Sequence, residues 1–205
     1  VIDHLLVALI DALHRSFDAA LLQRQAVEER FQVDVFLGDI SFETSYSLPG
    51  EEHPARVRAD LSFDWPTWSQ TAYRSWSIGE TPSELPEVIV EVALRIQRLA
   101  EPPALDTVAA VLPPESPHLG PDALVRTSAT IEQVLEDGPG RLGAPVRWAV
   151  EATYEGSIRF EEHHLEDPST IAPTIDGLTR WVSSVLVQLA DLPLAFLPPD
   201  PREAA

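Results

Sequence analysis

Between Ala55 and Trp65 the chain is apolar at every second position. Val57, Ala59, Leu61, Phe63 and Trp65 alternate with Arg58, Asp60, Ser62 and Asp64. Successive side chains of a strand point to opposite faces, so this spacing puts all five apolar groups on one side. Such a strand needs a sheet with one face on a core and the other toward water. Pro66, which has no N–H for a ladder, ends it. The chain therefore folds around at least one amphipathic sheet.

The other segments are read against that strand. Ile2, Leu5, Leu6, Leu9, Leu13, Phe17 and Leu21 recur at three- and four-residue steps, which predicts an N-terminal helix over about 2–30. Period two takes over at Val33, and one strand over 32–47, bent or bulged at Gly38, is expected. Pro49-Gly50 marks a turn. After the 55–65 strand come a third strand over 71–78 and a helix over 83–100, with Ser83 as its cap and Val88, Val92, Ile96 and Leu99 inward. Pro102-Pro103 stops that helix. In the second half, strands are expected over 124–135, 146–155 and 157–165, and a helix over 169–190 carrying Ile175, Leu178, Val182, Val185, Leu186 and Leu189 inward. Short Pro- and Gly-containing connections favour antiparallel neighbours.

The two halves share punctuation. Arg56–Trp65 aligns without gaps to Pro145–Tyr154, each after a Pro-Gly turn. Glu80-Thr-Pro-Ser83 matches Glu166-Asp-Pro-Ser169, and Leu99-Ala-Glu101 matches Leu189-Ala-Asp191. This predicts an α+β fold: an N-terminal helix, then two related β-β-β-α units with antiparallel sheets and the helices packed on one face. The expected division is 1–101 for the helix and first unit, 102–121 for a Pro-rich connector, 122–191 for the second unit and 192–205 for a Pro-rich tail.

Charge narrows the partners. The 33 acidic and 14 basic residues give a formal net charge of −19. That field repels phosphate backbones and anionic lipid, so nucleic acid and membrane are not expected as partners. It attracts a basic protein, a basic peptide or a cation; it also serves solubility. Every basic residue is Arg, and Lys, Met and Cys are absent from the sequence. Without Cys there is no disulfide, thiolate nucleophile or cysteine-bound zinc. The apolar run from Leu5 to Ile10 has no basic leader and is interrupted by Asp11, so a secretory signal is not read there and a cytoplasmic location is expected.

Chemistry-bearing patterns are sparse. Glu161-Glu-His-His-Leu-Glu-Asp167 is the densest polar cluster. In a strand, Glu162 and His164 share one face and Glu161 and His163 the other. Two ligands per face fall short of the three or four a metal site takes, so no metal is expected. No Gly-x-Ser-x-Gly elbow or glycine-rich phosphate loop occurs, and no cofactor or catalytic residue is assigned. Two surfaces are candidates for protein binding. Leu5, Leu9 and Leu13 lie near one line of the N-terminal helix. Trp65, Trp68 and Trp76 cluster around the 66–67 turn, where aromatics form either a binding surface or one end of a core.

The expected order helix–three strands–helix is similar to that of double-stranded-RNA-binding domains, but the acidic charge and the lack of Lys contradict RNA binding. The same order with acidic composition resembles bacterial secretion chaperones, which hold a partner segment. Fold-level likeness does not carry function. The sequence favours a non-catalytic acidic protein-binding module: an adaptor, a chaperone or an immunity-like protein, with a protein partner or self-association. The alternatives are a structural subunit of a larger assembly, and a small-molecule binder or enzyme without a recognisable motif.

Overall fold

The computed structural model describes residues 27–36, 39–50, 54–120, 122–134 and 147–198, together with Asp11, Arg15 and Ala19. Its centre is a six-stranded antiparallel sheet in the order β1-β2-β3-β4-β6-β5. The strands are β1 (Val27–Phe36), β2 (Asp39–Ser47), β3 (Val57–Trp65), β4 (Glu87–Leu99), β5 (Val125–Val134) and β6 (Arg147–Arg159). The helices are α1 (Thr67–Ser77), α2 (Leu105–Ala109), α3 (Glu162–Glu166) and α4 (Ala172–Ala190), with a 3-10 turn at Pro168–Ile171.

The alternation in β3 sets the layers. Val57, Ala59, Leu61, Phe63 and Trp65 are all buried. They face the same core as Val88, Val90, Val92, Leu94 and Ile96 of β4 and Val150, Ala152 and Tyr154 of β6. Helix α4 covers this face with Ile175, Leu178, Val182, Leu186 and Leu189, each fully buried. The α4 ring of Trp181 meets Tyr154 edge-on at 5.1 Å. Tyr73 of α1 and Val108 of α2 join the same core, so the helices share one face. The opposite face of the sheet is mostly polar, carrying Asp60, Ser62 and Asp64 of β3 and Glu151 and Glu155 of β6, with Ile89 and Ala93 of β4 and Ala149 of β6 among them. No helix among the described residues is long and apolar enough to cross a membrane.

Several expected elements are corrected. The segment read as one bent strand is a hairpin: Phe36 pairs with Asp39, with Leu37 and Gly38 between them in sequence. Residues 27–30 belong to β1 rather than to the N-terminal helix. Asp11, Arg15 and Ala19 have helical backbone and are exposed, and Arg15 Nε donates to the Asp11 carbonyl at 3.0 Å. Leu5, Leu9 and Leu13 lie outside the described residues.

The segment 71–78, expected as a strand, lies within α1 and its C-terminal turn. Ser69, Gln70 and Tyr73 are buried along one side of that helix. Asp39, distant in sequence, accepts from Thr67 N at 2.6 Å and Thr67 Oγ1 at 2.7 Å, satisfying a first-turn donor. Those bonds hold the Asp39 carboxyl below its ordinary value of 3.8. The helix ends in a Schellman turn on Gly79 (φ 84), with Glu80 N donating to Ser75 O at 2.9 Å and Gly79 N to Trp76 O at 3.0 Å.

The helix expected over 83–100 is strand β4, which lies in the middle of the sheet with β3 and β6 on its two sides. The two halves therefore do not follow the expected βββα boundaries, and the three strands and helix of the first half are β1, β2, β3 and α1. The matched segments are β3 and most of β6, both flanking β4, but only the second is followed by the expected long helix. Nor is there a turn at 155–157, since β6 runs unbroken through Gly156. A Cβ on Gly156 would lie 2.6 Å from Leu124 Cδ2 and 3.4 Å from the Ala123 carbonyl oxygen. This glycine admits a crossing segment and does not bend the strand.

Candidate functional site

The topology leaves β5 at an edge. The chain leaves β4 at Leu99, passes α2, and returns to the sheet outside β6. Glu115 bridges Val125, Ser116 N donates to Leu124 O at 2.9 Å, and Arg126 N donates to Pro114 O at 2.9 Å. These contacts occupy the first residues of the outer edge. Past Arg126, no described residue pairs with that edge. All of β5 except Arg126 is exposed.

An apolar groove runs beside it on the core-side face. Its walls are Pro103, Leu105, Val108 and Leu112 around α2, and Ala129 and Ile131 of β5, over a volume of about 170 Å³. Val108 and Leu112 are buried, whereas Leu105 is 68% exposed and Ile131 36%. Arg126 Nη1 donates to Leu112 O at 2.6 Å, and Tyr154 Oη donates to Pro113 O at 2.8 Å. These bonds tie the segment after α2 to the sheet and fix the groove's width. Burial raises the Tyr154 phenol above its ordinary 10.0, with nearby Arg126 opposing the shift.

The other face of β5 continues the open side of the sheet. Arg95 donates to Glu151 at 3.1 Å and lies 3.5 Å from Glu132. Thr127 Oγ1 donates to Glu155 at 2.8 Å. Glu91 pairs directly with Glu155 across the β4–β6 ladder. Partial burial, and then the charges of Glu155, Asp64 and Glu151, raise the Glu91 carboxyl above 4.5. Its folded value exceeds its unfolded value, so the native state binds the extra proton. The stability this proton confers is complete below 4.5 and is lost as the pH rises through the raised value. Glu91→Gln is therefore expected to stabilise the fold by about 0.2–1 kcal/mol at neutral pH, the scale of a cross-strand pair. Urea unfolding at neutral pH and below 4.5 checks this, because the gain should disappear in acid.

The tryptophans separate. Trp65 is 1% exposed and belongs to the core, while Trp68, three residues on, is 42% exposed. Trp76 is half-buried and packs against the core. No single surface gathers the three. The 161–167 cluster forms a helical turn, not a strand end. His164 Nδ1 accepts from Glu161 N at 2.8 Å and completes a reciprocal capping box. Burial, then His163, lowers the His164 imidazole below 6.5. Among the described residues, no group of three or more His, Asp or Glu side chains is placed to hold a metal ion.

Sequence reasoning missed the β5 edge and the α2 groove. One signal was available. The β5 segment carries only Arg126 and Glu132 as charges and has no Pro, whereas β1, the other edge strand, carries Glu28, Glu29, Arg30 and Asp34. In comparisons with family models, curated proteins and solved structures, nothing matches this chain.

Proposed function

We propose that this protein is a non-catalytic, acidic protein-binding module that receives an extended segment of another protein as an added strand along β5. The observation that carries this reading is an edge strand, exposed over 127–134 and paired there on its outer side with no described residue, lying beside an apolar groove. Natural edges are blunted by charge, Pro, bulges or a covering element. The described bulge of β5 lies between Arg126 and Ser128, next to the end that Pro114 already covers. Strand addition draws affinity from main-chain hydrogen bonds and selectivity from pockets for alternate side chains. The groove's volume of about 170 Å³ suits one or two aliphatic side chains; small-molecule sites take about 300–1,000 Å³. A net charge of −19 favours a protein partner over nucleic acid.

Selection from a displayed library of random peptides tests the reading. The comparison protein is the double variant Leu105→Ser, Ile131→Ser, which keeps the net charge. Both residues are exposed, so folding should change by no more than about 0.5 kcal/mol each. Selected peptides should bind the variant at least about tenfold more weakly, or about 1.4 kcal/mol. They should also protect the amides of 127–134 from hydrogen exchange. Peptides that bind both proteins equally, or leave those amides unprotected, would overturn the proposal, as would a library that yields no binder.

A further inference from the structure

Side chains of a strand added to β5 must divide between two unlike faces. On the groove side they meet Ala129 and Ile131, with Leu105 and Val108 opposite. On the open side they meet the face that carries Thr130 and Glu132, paired in register with Glu151 and Ala149 of β6. Behind these lie Glu155 and Glu91. Arg95 spans Glu132 and Glu151, and Arg147 stands opposite Val134 at the far end. Among the described residues named here, four carboxylates thus share this face with two guanidinium groups. Glu91 and Glu155 sit directly opposite one another, an arrangement that a neighbouring cation relieves.

We infer that the segment bound along β5 is amphipathic with period two, placing apolar side chains in the groove and Arg or Lys over the acidic open face. This rests on the strand-addition reading and adds the chemistry of the partner to it. Alternation follows from strand geometry, because every second side chain reaches the same face. The sign follows from charge complementarity, locally from Glu132, Glu151, Glu155 and Glu91, and at long range from the net charge of −19. A second copy of this chain is a poorer occupant. It brings the same negative charge and places its own acidic face beside the first.

The test uses short labelled peptides and fluorescence anisotropy. Valine alternates with arginine, with serine or with glutamate in three of them. A fourth is the valine–arginine peptide methylated on every backbone nitrogen, which keeps its charge and side chains but has no N–H to donate at either edge. The valine–arginine peptide should bind about tenfold more tightly than valine–serine at low salt, equivalent to about 1.4 kcal/mol. That advantage should shrink as the Debye length falls from about 30 Å to about 8 Å. Valine–glutamate should not bind. N-methylation should abolish binding, and the Leu105→Ser, Ile131→Ser variant should weaken it. If all three unmethylated peptides bind alike and the methylated one does not, strand addition stands and the charge pattern falls. Valine–arginine binding that survives methylation would be diffuse charge attraction, and would overturn the inference. Absence of binding by every peptide would remove both readings. So would a dimeric mass by light scattering that the peptides dissociate, because a second copy would then be the occupant.

Discussion

Trp65→Ala is expected to destabilise the protein by about 3–5 kcal/mol, the usual range for deleting a fully buried aromatic. Trp68→Ala is expected to change stability by no more than about 0.5 kcal/mol. The two indoles stand three residues apart and differ in everything except identity. Trp65 closes β3, packing edge-on against Tyr73 at 5.8 Å and at a tilt against Phe160 at 6.0 Å. Its Nε1 donates to Ser69 Oγ at 3.1 Å. That hydroxyl also accepts from Glu87 N at 2.7 Å and donates to Glu87 O at 2.6 Å, so it ties α1 to the start of β4. Alanine at 65 would leave a cavity and take one donor from this buried junction. Trp68 projects from the first turn of α1 with 42% of its surface exposed. Urea unfolding followed by circular dichroism gives both values. Similar losses for the two variants would contradict this assignment of core and surface.

The contrast between these residues also marks what the sequence disclosed. Strict alternation made β3 legible, because five apolar positions at even spacing have no helical reading. The helical period of Ile175, Leu178, Val182, Val185, Leu186 and Leu189 made α4 legible for the converse reason. Segment 87–99 carries both periods. Val88, Val92 and Ile96 are four apart, which suits a helix turn and two strand repeats equally. Val90 and Leu94 break the tie toward period two, and the β-branched residues agree with them. The shared punctuation of the two halves outweighed that signal and led to a helix.

Helix α1 was hidden for another reason. Its first-turn donor is satisfied by Asp39, a residue of another strand, so no local cap announces it. Gly156 reads as a turn in sequence because its constraint, the crossing of Leu124, is not local either. The candidate site combines both difficulties. Ala129 and Ile131 line a groove only because α2 lies against them, and β5 is an edge only because β6, the later strand, takes the place beside β4. Composition favoured an acidic protein-binding module only as an expectation, and the place proposed for its partner depends on strand order.

Arg98→Ala is expected to cost about 2–4 kcal/mol, and Arg98→Gly about 1 kcal/mol less, the strain of a non-glycine residue in the left-handed region setting the difference. Arg98 has φ 64 and stands in a bulge of β4, where the register with β6 steps from Ile96–Val150 to Leu99–Trp148. The guanidinium is used on several sides. Nε and Nη2 donate to the Leu197 carbonyl at 3.1 and 2.8 Å, and Nη1 donates to the Pro54 carbonyl at 3.0 Å. The residue is 6% exposed, so these charge-assisted bonds are worth more than surface ones. They hold the segment after α4 against the end of β4, where Leu197 N donates back to Arg98 O at 2.7 Å and Ala100 N donates to Ala195 O at 2.9 Å. Phe196 completes the contact beneath the Arg56 guanidinium, 5.1 Å from the ring centroid. Alanine would remove the bonds and keep the strained backbone. Glycine would remove the same bonds and relax the backbone, partly offset by its greater freedom when unfolded. Lysine keeps the charge but lacks the fork that reaches two carbonyls, so it should fall between alanine and the native residue. Denaturation of the three variants, with hydrogen exchange at 195–197, separates the contributions. Equal losses for alanine and glycine would show that the strain of the left-handed backbone does not exceed the cost of glycine's added freedom in the unfolded chain. Unchanged exchange at 195–197 in Arg98→Ala would show that the arginine does not hold the C-terminal segment in place.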